Sequence, residues 1–309
     1  MLRKLRPNWW RRNLPKQIDS LIEDIHNSVT GPGFEPVVDL TDKYSRHVND
    51  LLAPKLLREG KPKALHASKL GKNCLRQMWY AQWTPQESEP LLAHTLIKFT
   101  YGDLVEEFAL DLVRGAGHKV EYEQQRVDFP TYHGFTVSGR LDAVIDGVVV
   151  DVKSCSPYSY KDWANQPLTA DNDSFGYRWQ LHTYGKAAMN GQIKANTDRG
   201  YLLLMDKQNG HIGLSWVDYD WKAFDFRLKI ITTAINDPTI LPPRNFDAVE
   251  KDKLGNRKLC TECGYCDFKR TCWKADDIKG VVRAGKVVWL VAPTTGTTVK
   301  LKPGEEPLI

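Results

Sequence analysis

A chain of 309 residues can bury one substantial core and still carry a second lobe or helical decoration. Its 43 Lys and Arg against 38 Asp and Glu leave a net charge of only +5, a weak bulk attraction for a polyanion. No apolar run approaches the roughly 18 residues of a membrane span, and the N-terminus lacks the apolar stretch of a secretory leader; a cytoplasmic protein with no membrane partner is the expectation.

Residues 1 to 16 carry Arg3, Lys4, Arg6, Arg11, Arg12 and Lys16 around Trp9 and Trp10, which suits either a phosphate-gripping arm or a disordered basic tail. Gly31-Pro32-Gly33 and Glu35-Pro36 mark a loop, and residues 39 to 59 predict mostly helix. A short helix is expected after Ser68, holding Cys74, Arg76, Trp79, Tyr80 and Trp83. Residues 95 to 114 predict an amphipathic helix with Leu104, Phe108 and Leu112 at four-residue steps, ended by Gly115 and Gly117 and carrying Glu106 and Glu107. Strands are predicted at about 118 to 128 and 135 to 153. A polar loop with Pro157 and Pro167 leads to a helix over 175 to 190, where Gln180 and Tyr184 share one face. Strands near 199 to 206 and 211 to 217 flank Asn209-Gly210, and a helix over 219 to 236 precedes Pro242-Pro243. This order is a mixed α/β pattern. The Gly-rich strand-to-helix turn and the Gly-Lys-Ser/Thr of phosphate loops are both missing, which argues against nucleotide-driven motors and dinucleotide oxidoreductases.

Residues 139 to 153 hold the densest chemical signal. Asp146-Gly147 predicts a two-residue type I′ turn, because both central positions need positive φ. That turn sets a register in which Ile145 faces Val148, Ala143 faces Val150, Asp142 faces Asp151 and Arg140 faces Lys153. Alternation then sends Leu141, Ala143, Ile145, Val148, Val150 and Val152 into a core, with Arg140, Asp142, Asp151 and Lys153 on the opposite face. Two opposed aspartates repel. A hard divalent cation between them, Mg²⁺ or Mn²⁺, accounts for that cost; solvated strand residues neutralised by Lys153 are the plainer alternative.

Six cysteines stand at 74, 155, 260, 263, 266 and 272, and four of them fall within thirteen residues at metal-ligand spacing. Disulfides are not expected in a reducing cytoplasm, so thiolates on iron or zinc are the natural reading. A C-x2-C-x2-C run would use Cys260, Cys263 and Cys266 with Cys74, while a zinc site would use the four C-terminal cysteines alone. Cys155 reads as a small packed residue.

Taken together, Gly139-Arg140-Leu141-Asp142, Asp151-x-Lys153 and Gln180-x-x-x-Tyr184, in this order, resemble the RecB-type branch of the PD-(D/E)XK nucleases, and in particular its iron-sulphur members among CRISPR-associated and phage exonucleases, over roughly residues 68 to 273. The resemblance implies a restriction-endonuclease-like core, a mixed sheet flanked by helices, with a helical N-terminal region and a C-terminal Cys cluster. It implies catalysis by Asp142, Asp151, Lys153, Gln180 and Tyr184, and a [4Fe-4S] cluster on Cys74, Cys263, Cys266 and Cys272, with Zn²⁺ as the alternative. Many members place a His four residues after a Gly on the first core helix, whereas here Gly102 is followed at that spacing by Glu106. Glu106 is then the third metal-holding carboxylate beside Asp142 and Asp151, with Glu107 the substitute and a solvated helix face the alternative. The expected domains are a basic arm and helical region (1–67), the nuclease core (68–245), a Cys segment completing the cluster with Cys74 (246–280) and a C-terminal strand and tail (281–309), in which Val287 to Val291 predict one strand. The implied activity is metal-dependent DNA exonuclease action on single-stranded or double-stranded ends in phage or bacterial recombination, repair or degradation, with a recombination protein as a candidate partner. A structure-specific endonuclease and a non-catalytic DNA-binding subunit are the rivals.

Overall fold

The computed structural model describes residues 16–30, 63–89 and 93–308. The basic stretch up to Arg12, with Trp9 and Trp10, and the helix expected over 39 to 59 lie outside the described residues. The helices are α1 (Leu21–Thr30), α2 (Leu75–Trp83), α3 (Ala93–Gly115), α4 (Pro157–Trp163), α5 (Tyr177–Met189), α6 (Trp221–Ile235), α7 (Thr261–Gly264) and α8 (Lys269–Cys272), among the described residues. The strands there are β1 (Ala64–His66), β2 (Val120–Glu121), β3 (Arg126–Pro130), β4 (Thr136–Arg140), β5 (Ala143–Ile145), β6 (Val148–Cys155), β7 (Gln166–Pro167), β8 (Arg199–Asp206), β9 (Ile212–Asp218), β10 (Glu250–Lys251), β11 (Arg257–Lys258), β12 (Ile278–Arg283) and β13 (Lys286–Val291). The described residues form two compact units, 16–30, 64–71 and 93–228 in one, and 63, 72–89 and 229–308 in the other.

The first unit is built on a six-stranded mixed sheet, ordered β2-β5-β6-β8-β9-β7, beside a three-stranded sheet ordered β1-β4-β3. β6 and β8 run parallel, which requires a crossover, and α4 and α5 supply it. One face of the large sheet packs Ala143, Ile145, Val150, Val152 and Leu203 against Leu21 and Ile25 of α1 and Val105, Ala109, Leu112 and Val113 of α3. The other buries Val144, Val149, Leu202 and Leu204 against Trp163 of α4 and Leu181 and Tyr184 of α5. β6 therefore has a core on both faces, as its near-continuous apolar run requires. The mixed α/β expectation, a sheet flanked by helices with a helical N-terminal region, is what the structure has.

Asp146 and Gly147 take φ of 50° and 80°, and Ala143 pairs with Val150 and Ile145 with Val148, as the turn requires. The pairing then stops. Residues 141 and 142 leave the strand, and the chain passes into β4 of the other sheet, where Arg140 pairs with Arg126 instead of Lys153. Leu141 consequently joins the α5-side core rather than the face predicted for it. Asp142 does not oppose Asp151 in the ladder. Its backbone carbonyl accepts from Gln124 N–H, and Leu141 N–H donates to the Gln125 carbonyl, which fixes the kink. Tyr122 and Gln124, with φ of 54° and 53°, likewise split the single strand expected over 118 to 128 into β2 and β3.

The stripe on α3 is also rotated from its expected position. Phe108 is 46% exposed, while Val105, Ala109, Leu112 and Val113 face the sheet at steps of four, three and one. Four-residue spacing alone could not choose between these adjacent stripes, because both are apolar.

The second unit has a four-stranded sheet ordered β10-β11-β13-β12. The single strand expected near the C-terminus is here a hairpin, β12 with β13, turning through Ala284 and Gly285 with φ of 48° and 72°. Ala248, Leu259, Trp273 and Val291 form its core. Buried Asp276 accepts from Arg244 and Arg257, each at 3.0 Å, and the Arg244 guanidinium lies 3.9 Å over the Trp273 ring.

Candidate active site

The kink at residue 142 and the alternation of β6 deliver the first unit's charged residues to one place. Asp151 and Lys153 point from β6 to the side of Val149, toward α5. Asp142, released from the ladder, turns its Oδ2 onto the Val152 N–H at 2.7 Å. Asp151 is fully buried. Its Oδ1 accepts from Gln180 Nε2 at 3.0 Å, and its Oδ2 makes an ion pair with Lys153 Nζ.

The helix α5 locks this arrangement. Gln180 also donates to Tyr184 Oη at 3.0 Å, and Tyr184 donates its own proton to the Arg140 carbonyl at 2.8 Å. A chain of bonds thus runs from the Asp151 carboxylate through two α5 side chains to the backbone beside Asp142. Gly139 makes it possible, since a Cβ there would come within 2.9 Å of both the Tyr184 ring and Ala67 Cβ. The entry into α5 is equally tight, because Gly71 and Gly176 meet backbone to backbone with no room for a Cβ on either.

Glu106 reaches the same neighbourhood from α3, where its carboxylate accepts from Gln124 Nε2. Burial first, and the Asp151 charge next, push its pKa up to about 7. Asp142 is raised well above the usual carboxylate range by the same two causes in the same order. Lys153 stays firmly protonated: burial disfavours its charge, but Asp151 and Asp142 outweigh burial. Tyr184 is pushed up by burial and then by Asp151, so its hydroxyl remains a donor. Glu107 is buried on α3 and adds to the negative potential felt by Glu106.

Asp142 and Glu106, both raised by burial and then by the Asp151 charge, form with Asp151 a set of oxygen donors that has the chemistry of a site for a hard divalent cation. One oxygen of Asp142 and one of Glu106 are engaged by hydrogen bonds, and among the described residues no group of three His, Cys, Asp or Glu stands ready to hold a metal ion. Residues not singled out in the sequence also belong here. Gln124 holds Glu106, and Tyr177 presents its ring 5.2 Å from Lys153 Nζ. Tyr177 lies one helical turn before Gln180, a spacing that could have flagged it.

The cysteines of the second unit lie apart from this site in sequence. Cys74 caps α2, Cys260 precedes α7, and Cys272 ends α8. Burial first, then Cys260, Cys266 and Cys74, push the Cys263 thiol upward. Burial and then Cys74, opposed by a hydrogen bond from Phe268 N–H, push Cys266 up to about 12. The Phe268 N–H lies 3.4 Å from Cys266 Sγ, and Arg76 Nη1 lies 3.8 Å from Cys272 Sγ. Cys260, Cys266 and Cys74 thus act on Cys263, and Cys74 and Cys272 on Cys266, but among the described residues no three of these thiols stand ready to hold a metal ion. Cys155 is separate: it packs in the α5-side core, and burial pushes its thiol up to about 11.

A family model described as the PD-(D/E)XK nuclease superfamily matches residues 46–273. No curated protein matches the chain. Among solved structures, that named "Crystal structure of SSO0001" is 13% identical, covering 75% of this chain and 96% of that chain with a TM-score of 0.45. The family match spans well over half of the sequence, and the chain belongs to the PD-(D/E)XK nuclease superfamily. Membership implies metal-dependent hydrolysis of nucleic-acid phosphodiester bonds, generally with Mg²⁺ or Mn²⁺.

Proposed function

We propose that this superfamily member is a metal-dependent DNA exonuclease of the RecB type, working at DNA ends in recombination, repair or DNA degradation in a phage or bacterial setting. The observation that carries the reading is the convergence of Asp142, Asp151 and Lys153 under the Gln180–Tyr184 brace. Asp142, Asp151 and Glu106 would hold the cation, which supplies Lewis-acid charge at the scissile phosphate and lowers the pKa of water.

The protein's own groups do the rest. Lys153 brings a fixed positive charge to the oxygens on which negative charge develops, and preorganised charge of this kind is worth most in a dry site. Its ammonium carries three donors, one of which meets Asp151, and would also hold a water for in-line approach to phosphorus. Gln180 keeps Asp151 Oδ1 in place, and Tyr184 anchors Gln180 to the strand backbone. End-labelled linear DNA and closed circular DNA, each with Mg²⁺, Mn²⁺ or EDTA, test the proposal. Metal-dependent loss of the linear substrate alone is expected. Cutting of the closed circle makes the protein an endonuclease instead, and no cutting of either with both metals removes the catalytic reading.

The same reading places a [4Fe-4S] cluster on Cys74, Cys263, Cys266 and Cys272, tying distant stretches of the second unit together. The all-thiol donor set and the N–H donors aimed at Cys266 and Cys272 support it. Anaerobically purified protein should be brown, with a broad visible charge-transfer band that Cys74→Ser and Cys272→Ser remove. Colourless protein with stoichiometric zinc overturns the cluster, and a brown Cys272→Ser with a colourless Cys260→Ser moves the fourth ligand to Cys260.

A further inference from the structure

One exposed aromatic surface adjoins the charged centre and is not explained by the hydrolytic machinery. Phe175 stacks on Tyr177 with ring centroids 5.5 Å apart and planes 16° from parallel, and Tyr177 lies 5.2 Å from Lys153 Nζ. Trp163 supports both rings edge-on, at 5.9 Å and 5.7 Å, and is itself buried, with its indole N–H donating to the Asn172 carbonyl at 2.7 Å. Phe175, in contrast, is 51% exposed. A large apolar ring fixed from below and open above is costly to leave in water unless something covers it.

The loop that carries it is braced. Asp173 accepts from the N–H groups of Tyr177 and Arg178 at 2.8 Å and 3.0 Å, and Gly176 is pinned against Gly71. The platform is therefore set before any ligand arrives, which lowers the entropy lost on binding. Packing alone explains Trp163 and Tyr177, whose surfaces are largely used. It does not explain Phe175, whose half-exposed ring stacks on the same Tyr177 ring that the Lys153 ammonium approaches.

We propose that Phe175 is a stacking platform for an unpaired nucleobase of the nucleotide adjoining the scissile phosphate, so that the enzyme takes single-stranded or frayed ends in preference to interior duplex. This rests on the nuclease reading, because it is the phosphate met by Lys153 that places the base over the ring. Only two ring steps, 5.2 Å and 5.5 Å, separate the ammonium from the Phe175 centre. The base must be unpaired, since in duplex its faces are covered by neighbouring bases, whereas every unpaired base offers a π face whatever its identity.

The test uses the full-length protein with a 2-aminopurine single-stranded oligonucleotide in EDTA, followed by cleavage with Mn²⁺. Wild type should quench the fluorescence and bind at least roughly tenfold more tightly than Phe175→Ala, as expected for loss of one base stack. Phe175→Trp should retain binding, and an abasic residue in place of the probe should weaken wild type while leaving Phe175→Ala unchanged. Cleavage of single strands should fall in parallel, with no comparable fall on nicked duplex. Equal affinity of wild type and Phe175→Ala, or an abasic penalty of the same size in both, overturns the platform while leaving a cleaving enzyme intact. Base-dependent binding by a wild type that never cleaves overturns the hydrolytic reading and keeps the platform, and absence of both binding and cleavage overturns the two together.

Discussion

Asp151→Asn is expected to reduce DNA cleavage to the level seen in EDTA, and Lys153→Met to cost about 100- to 1000-fold in the rate of the cleavage step. Asp151 sits at the centre of the network, with one oxygen on Gln180 and the other on Lys153, so replacing it removes the charge proposed to hold the cation and the partner of the lysine together. Lys153→Met keeps the apolar stem of the side chain but deletes its charged head, leaving Asp151 buried without its ion pair. Some stability is lost as a result, moderated because the Lys153 side chain is 21% exposed and screened by water. Single-turnover degradation of end-labelled DNA, alongside thermal melting, separates the two effects. The double variant should be no slower than Asp151→Asn, since groups acting as one unit are not additive. Robust cutting by either single variant means the reacting phosphate is met elsewhere.

The sequence made the sheet chemistry legible where local rules dominate. The Asp146-Gly147 turn and the alternation after it set Ala143 opposite Val150 and sent Asp151 and Lys153 to one face of β6, because positive φ and the two-residue period leave little freedom. Extending that register beyond Ala143 failed, since nothing local signals that residues 141 and 142 leave one sheet for another. The departure depends on Gln124 and Gln125 bonding the kinked backbone, and these lie well upstream in the chain. Asp142 nonetheless reaches the neighbourhood of Asp151 by a different route, through the Val152 N–H rather than across a ladder.

Glu106 shows the same limit on a helix. Its position after Gly102 could be read by analogy, but its surroundings could not, because the buried face of α3 is chosen by the sheet beneath it and not by its own apolar spacing. The Gln180–Tyr184 pair was visible as a four-residue step, whereas the need for Gly139 beneath Tyr184 becomes apparent only when the two elements meet. Phe175 carried no pattern of its own, and Tyr177 only its three-residue step to Gln180. Their relation to Lys153 is tertiary, made by a loop stiffened at Asp173 and Gly176.

The second large effect expected is a divalent cation stabilising the fold in a pH-dependent way. Without cation, Glu106 is pushed up to about 7 and Asp142 is raised, chiefly by burial and then by Asp151, whereas both ionise near their ordinary values, about 4, in the unfolded chain. Between those limits the folded state binds more protons than the unfolded state, so this contribution is present at low pH and is lost as pH rises through the folded pKa values. Melting in EDTA should therefore show these groups costing stability from about pH 4 to about pH 7, the value for Glu106. Mn²⁺ at roughly 100 times its dissociation constant should add about 2.7 kcal/mol, or about 5–10 °C for a domain near 200 residues. The gain should be larger at pH 8 than at pH 5, because the ligands must shed protons to bind. Asp142→Asn removes one charge from the cluster, so it should melt higher than wild type in EDTA at pH 8 and lose most of the Mn²⁺ shift. An undiminished shift in that variant would show that the cation binds away from these carboxylates, and a lower melting point in EDTA would show that the charge on Asp142 supports the fold instead of straining it.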